Sequence, residues 1–302
     1  MARENYDPES PYGYTPTAWV CILFIVLFSV SGAIHIGQAI WFKYWVIFPT
    51  LAIGIALEII GWAARYWSNQ NILYDPPFLQ QIITLIIAPV FFSAWCYTIL
   101  GLGINRLGQQ YSFLRPKWYL AIFVTCDIIS LILQAVGGGW AASASDPIPK
   151  TPTNIMVGGI IFQLVSMVLF TALAFDFILR ASSGRQWRHR QSGPFSEQGQ
   201  GRGQGVGGGN LFPEGEEKIG EDRRDTRGWW FVMAGTAICS LMIIIRGVYR
   251  SIELVQGWNG YLISHEVYQD TLDGIPMILA VLAINIFHPG FFLPRRQGWK
   301  NA

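Results

Sequence analysis

The sequence predicts an all-α, polytopic membrane protein, a bundle of seven transmembrane helices, and three observations carry that expectation. Only 13% of the 302 residues are charged, against about 25% in soluble globular domains. Hydrophobic residues make up 52%, with 13 Trp among them. They recur in continuous runs of about 20 residues, the length needed to cross a hydrocarbon core of about 30 Å. Helices follow from that continuity, because barrel strands would alternate apolar and polar positions. Disordered, coiled-coil and collagen-like architectures are excluded by the same pattern, and a large water-soluble enzyme is disfavoured.

The predicted spans are 17–40, 45–66, 80–104, 118–139, 155–179, 229–250 and 268–293. Residues 1–16 precede them as an external tail in which Arg3 stands against Glu4, Asp7 and Glu9. The positive n-region of a cleaved signal peptide is missing there, so the first span is expected to be retained. Pro49, Pro89 and Pro276 fall inside the second, third and seventh spans, where each removes a backbone hydrogen bond and can kink its helix. The connection 180–228 differs in composition, with eight Gly within 193–209. Such a stretch buries too little apolar surface to offset its ordering entropy and is expected to be a disordered cytoplasmic loop. Its basic flanks, 185–190 and Arg223-Arg224, suit topology signals or contact with anionic lipid. Residues 294–302 form the expected cytoplasmic tail.

Orientation follows from Lys and Arg placement. Of 21 such residues, 16 fall on the side holding Lys43, Arg115 and the connection 180–228, and five on the other. The amino terminus is therefore expected outside and the carboxyl terminus in the cytoplasm. Discounting the long connection leaves seven against five, a weaker lean in the same direction.

Several chemistries lack their residues. The four Cys lie in apolar runs, and no C-x-x-C spacing occurs. No phosphate-binding G-x-x-x-x-G-K-[ST] loop is present, so the chain is not expected to hydrolyse ATP. All five Lys lie in connections or the tail, which removes a retinal Schiff base. By the predicted topology the four His cannot converge in threes, and no metal or other cofactor is expected. A two-histidine site of His35 and His288 completed by Asp127 stays open. Nucleic acid is not an implied partner, since the net charge is only +2.

Ionisable groups at membrane depth cost at least about 2.5 kcal/mol each on insertion scales, so each marks a structural pair or a functional site. Glu58, Trp62 and Arg65 share one face of the second span at i, i+4 and i+7. Asp127, Ser130 and Gln134 make a polar stripe on the fourth, followed by Gly137-Gly138-Gly139. Interhelical glue and a polar cavity are both compatible with that stripe. Asp127 lies about 13 Å along its helix at the usual rise. Near the end of the sixth span and the start of the seventh stand Arg246, Arg250 and Glu253, then Glu266, Asp270 and Asp273, each set at i, i+4, i+7. An ion-pair network involving Arg65, Arg246, Arg250, Glu253, Glu266, Asp270 and Asp273 is one reading. A vestibule for a charged ligand is the other.

These strings resemble the fungal RTA-like, or lipid-translocating exporter, family over nearly all seven spans. The similarity rests on Glu58-x-x-Gly61-Trp62-x-x-Arg65, on Ala88-Pro89 with Ser93-Ala94 and Tyr97, and on Leu100-Gly101. It continues through Asp127-x-x-Ser130-x-x-x-Gln134 and Arg246-x-x-x-Arg250-x-x-Glu253. Gly260-Tyr261, His265-Glu266, Asp273, Pro276-Met277 and Asn285-x-x-His288-Pro289-Gly290 complete it. Trp62, in place of Tyr, and Leu102, in place of Arg, depart from the family pattern. The resemblance implies export or translocation of amphipathic lipids, notably sphingoid bases, resistance to toxic amphiphiles, and a plasma-membrane location. Membrane lipids and amphipathic small molecules are then the expected partners. To this the residues add that Glu58 and Asp127 offer carboxylates for a cationic headgroup, with Ser130 and Gln134 able to bind hydroxyls. A seven-span lipid-responsive receptor, or a regulator of another transporter, is the alternative. Against the receptor, the third span ends in Asn105-Arg106-Leu107 and the seventh has Asn285-Ile286-Phe287-His288-Pro289.

Overall fold

The computed structural model describes residues 13–71, 74–143, 150–187, 214–257 and 260–293. Seven helices in it are long and apolar enough to cross a membrane. The chain runs through α1 (Ala18–Phe42), α2 (Ile53–Gln70), α3 (Asp75–Leu107), α4 (Pro116–Ser143), α5 (Lys150–Ser183) and α6 (Glu214–Val255). The seventh span is assembled from α7 (Glu266–Gln269), a π turn at Asp270–Gly274, and α8 (Ile275–Ile286), with the short α9 (Pro289–Phe292) after it. The second span likewise begins with a π turn, Phe48–Ala52, containing Pro49. Pro276 is the second residue after the other π turn, whereas Pro89 stays inside a continuous α3. Two of the three prolines thus sit in or against a widened turn, where their missing N–H disturbs the ladder least.

Two predicted boundaries move. α5 continues to Ser183 and the next helix starts at Glu214, so the connection expected over 180–228 narrows to 184–213. Its segment 188–213, including the glycine-rich stretch, lies outside the described residues, as does the tail 294–302. The extra turn of α5 is polar and locally paired. Arg180 meets both oxygens of Asp176 one turn back at 2.9 Å, and its guanidinium stacks on Trp187 at 4.5 Å. At the amino-terminal end residues 1–12 are outside the described range, but Tyr14 packs into the bundle and is buried.

The core is one aromatic-rich cluster in which Phe28, Trp62, Phe92, Tyr97, Phe123 and Phe170 are fully or almost fully buried. Tyr97 and Phe170 meet edge to face at 4.6 Å, a favoured aromatic geometry. Outside, Trp19, Val30, Ile83, Ile132, Val165 and Leu169 are exposed along the helices, as lipid-facing side chains should be. α4 and α5 pack backbone against backbone. A Cβ on Gly137 would stand 2.5 Å from the Met156 nitrogen, and one on Gly159 2.9 Å from the Ser130 carbonyl. Only hydrogen at those positions permits backbone-to-backbone packing, which in lipid replaces the hydrophobic drive between helices.

Candidate functional site

The polar residues gather in two clusters and one stripe. At the amino-terminal end Arg65 is fully buried and donates to Tyr14 Oη at 2.7 Å, Gln269 Oε1 at 3.0 Å and Glu266 Oε1 at 3.0 Å. Glu266 also receives the Thr17 backbone N–H and hydroxyl, at 2.7 and 2.6 Å. This cluster clamps the start of the first span against the second and seventh.

Deeper lies a five-membered ionic cluster. The carboxylate of Asp273 accepts from Arg246 Nε with one oxygen and from Arg250 Nη2 with the other. Arg250 also donates to Glu253 at 2.8 Å, whose other oxygen takes the Tyr249 hydroxyl at 2.8 Å. Arg246 stands 3.6 Å from Glu58, and its Nη2 donates to the Leu85 carbonyl at 2.6 Å. That carbonyl is the one whose helical donor would be the N–H of residue 89. Proline there has none, so the guanidinium supplies the missing bond. Three carboxylates against two guanidiniums leave one negative charge in excess when all five are ionised.

The structure therefore distributes the predicted acids differently from a single facing row. Asp273 serves Arg246 and Arg250, Glu266 serves Arg65, and Asp270 has a buried Oδ1 with no hydrogen bond. The cause is local. The π turn at Asp270–Gly274 carries an extra residue per hydrogen-bonded ring, so the i, i+7 alignment of a continuous α-helix is lost between Glu266 and Asp273.

The stripe on α4 is buried throughout, with Asp127 1%, Ser130 0% and Gln134 5% exposed. Ser130 donates to the Asp127 backbone carbonyl at 2.7 Å, and Gln134 Nε2 to Gln163 Oε1 at 2.9 Å. Neither carboxylate oxygen of Asp127 makes a hydrogen bond of normal geometry, although the Tyr97 hydroxyl lies alongside. Gln163 is a site residue that sequence reasoning missed. On α5 it faces Gln134, and nothing in its own neighbourhood distinguishes it from a lone polar residue.

Asp127 is not brought to the two histidines. His35 Nε2 engages the Val281 carbonyl at 3.2 Å, and His288 Nδ1 accepts the Gly290 N–H at 3.0 Å. Among the described residues no group of three or more His, Cys, Asp or Glu is placed to hold a metal ion.

Three cavities adjoin these groups. A chamber of about 50 Å³ is lined by Pro89, Ser93, Gln134, Gln163, Arg246 and Arg250 among others. A groove of about 450 Å³ between α3, α4 and α5 shares Ile86 and Gln134 with it. A smaller cavity of about 20 Å³, holding Gln81, Arg250, Glu253 and Gln269, lies beyond Arg250 toward the amino-terminal end. Glu58 and Asp127 line none of the three, but each adjoins the chamber through a neighbour. Arg246 stands beside Glu58, and Tyr97, one turn from Ser93, beside Asp127.

Seven apolar helices surrounding buried charged residues and small cavities define a polytopic integral membrane protein. The RTA1-like protein family model matches residues 51–296, and the chain belongs to that family. A baker's yeast relative, the sphingoid long-chain base transporter RSB1, is 36% identical, with 94% of this chain and 75% of that protein covered. Two more distant relatives are protein RTM1 and protoporphyrin uptake protein 1, also from Saccharomyces cerevisiae. They are 24% and 25% identical over 90% and 91% of this chain, and over 89% and 90% of their own lengths. No solved structure matches.

Proposed function

We propose that the protein moves sphingoid-base-like amphiphiles across or out of a membrane and so protects against toxic amphiphiles, without ATP hydrolysis or other catalysis of its own. The observation that carries this reading is the buried five-residue cluster of three carboxylates and two guanidiniums, set beside a small chamber that Ser93, Gln134 and Gln163 line together with apolar side chains. A single-chain cation needs both an apolar route and a counter-charge, because an isolated ammonium in hydrocarbon faces a large desolvation cost. The yeast relative's name, a sphingoid long-chain base transporter, supports the same cargo class. Glu58 and Asp127 are the carboxylates proposed to meet the headgroup in transit, with Ser130 and Gln134 alongside. The amino terminus is proposed to face outward and the carboxyl end the cytoplasm, in the plasma membrane.

Asp127→Asn tests the reading with little change of shape. In vesicles holding the purified protein, translocation of a labelled sphingoid base should slow about tenfold, equivalent to ~1.4 kcal/mol of lost stabilisation, while a neutral lipid of similar length is unaffected. An unchanged rate for the cation would remove Asp127 from the path. Equal slowing of both cargoes would make it a packing residue. Absence of translocation by the unmodified protein would leave it a sensor or regulator.

A further inference from the structure

We propose that the groove between α3, α4 and α5 is a lateral binding site for one single-chain amphiphile, its alkyl chain in the groove and its amine or hydroxyl head at Gln134. The site deepens the function proposed above and rests on it for the class of cargo.

The groove has a ligand site's size, about 450 Å³ against the usual range of about 300 to 1,000 Å³. Its walls are apolar. Ile83, Ile87, Leu131, Ile132 and Ala135 contribute side chains, and Gly138 and Gly139 leave space where side chains would stand. Ile83 and Ile132 are 55% and 57% exposed, so the groove faces the lipid phase directly. A chain can enter sideways without crossing water.

Gln134 is the one polar side chain among the described residues lining this groove, and it also lines the inner chamber. Its Nε2 is committed to Gln163, but its Oε1 is buried with no partner. A buried acceptor left unpaired is costly, and a ligand O–H or N–H donor would recover that cost. An unpaired acceptor where an apolar groove meets a chamber that also holds Ser93 and Gln163 is suited to a molecule with a donor-bearing head and a hydrocarbon tail.

The chamber limits what that head is. About 50 Å³ admits about four water-sized groups, enough for an ammonium and neighbouring hydroxyls but not for a phosphodiester headgroup. Arg246 and Arg250 in its wall are each paired with carboxylates, Asp273, Glu253 and Glu58, which offset their charge toward the chamber. Beyond Arg250 the small cavity with Gln81 and Gln269, which shares Ile86 and Arg250 with the chamber, extends the line of cavities toward the amino-terminal end.

The test uses the purified full chain in phosphatidylcholine nanodiscs with sphinganine carrying a mid-chain diazirine. Photolabelling is expected on the groove segments around Ile83 and Ile132 and should be displaced by unlabelled sphinganine. Gln134→Leu removes the head acceptor, and Gly139→Leu fills the groove from a position where an added Cβ meets nothing within 4 Å. Each should cut labelling about tenfold, corresponding to ~1.4 kcal/mol. Should either variant fold poorly, the labelling map of the unmodified chain decides alone. Labelling spread over the outer helices, matching that of a diazirine phosphatidylcholine, would reduce the groove to ordinary lipid contact and overturn the site. Groove labelling indifferent to both variants would do the same. A labelled, competable groove without vesicle transport would keep the site and sink the transport reading. Transport with labelling elsewhere would do the reverse.

Discussion

Arg65 shows what a single buried charge demands. Its guanidinium is sealed from solvent, and Tyr14, Gln269 and Glu266 together satisfy donors that hydrocarbon would leave bare. Removing one member of such a pair strands the other, at about 3 to 5 kcal/mol, whereas removing both costs less. Arg65→Met is therefore expected to lower stability by about that much, and Arg65→Met combined with Glu266→Gln by clearly less. Thermal unfolding in detergent reads the difference. Equal losses for the single and double changes would show that Glu266, 15% exposed at its side chain, keeps enough solvation to stand alone. The presence of these charges was evident in the sequence, because acids and bases are rare in apolar runs. Their pairing was not, since helical spacing assigns faces and cannot choose between Arg65 on α2 and the two arginines on α6.

Among the elements, α3 and the seventh span carry the most information. Pro89 leaves the Leu85 carbonyl without its helical donor, and Arg246 of α6 fills the vacancy at 2.6 Å. One side chain thereby ties α3 to α6, and through Asp273 and Glu58 to the seventh and second spans. Pro89→Ala restores the intrahelical N–H. In that background Arg246→Met should cost about 1 kcal/mol less stability than in the unmodified protein, the worth of one hydrogen bond. The loss of ionic partners is common to both backgrounds and cancels in the cycle. Identical costs would mean that the Leu85 contact contributes nothing. Pro89 and Arg246 were both visible in the sequence. A carbonyl orphaned four residues before a proline is a signal that could have predicted a donor from another helix, though not which one.

At the scale of the whole molecule, the side with Lys43, Arg115, Arg180 and Arg227 is the basic one, and positively charged connections are retained in the cytoplasm. A protease site placed at Gly207 is accordingly expected to resist protease added to intact cells and to be cut only after permeabilisation. Cleavage in intact cells would invert the orientation and, with it, the direction of the route from groove to amino-terminal end. The proposed route draws on five helices, since its lining residues come from α3, α4, α5, α6 and α7. No one element contains it.

Seven spans, their order and the burial of Asp127, Ser130 and Gln134 follow from the sequence alone, because the cost of exposing backbone and charge to lipid acts on each segment separately. What required the folded bundle is everything that depends on two helices meeting. The π turn at Asp270–Gly274 rotates Glu266 away from Asp273, Gln163 answers Gln134 across the glycine-packed α4–α5 contact, and the groove and chamber come to share a wall. Periodicity along one chain records which face is polar. Only packing distances between faces decide which polar groups find partners and which acceptor, as at Gln134, is left open for a ligand.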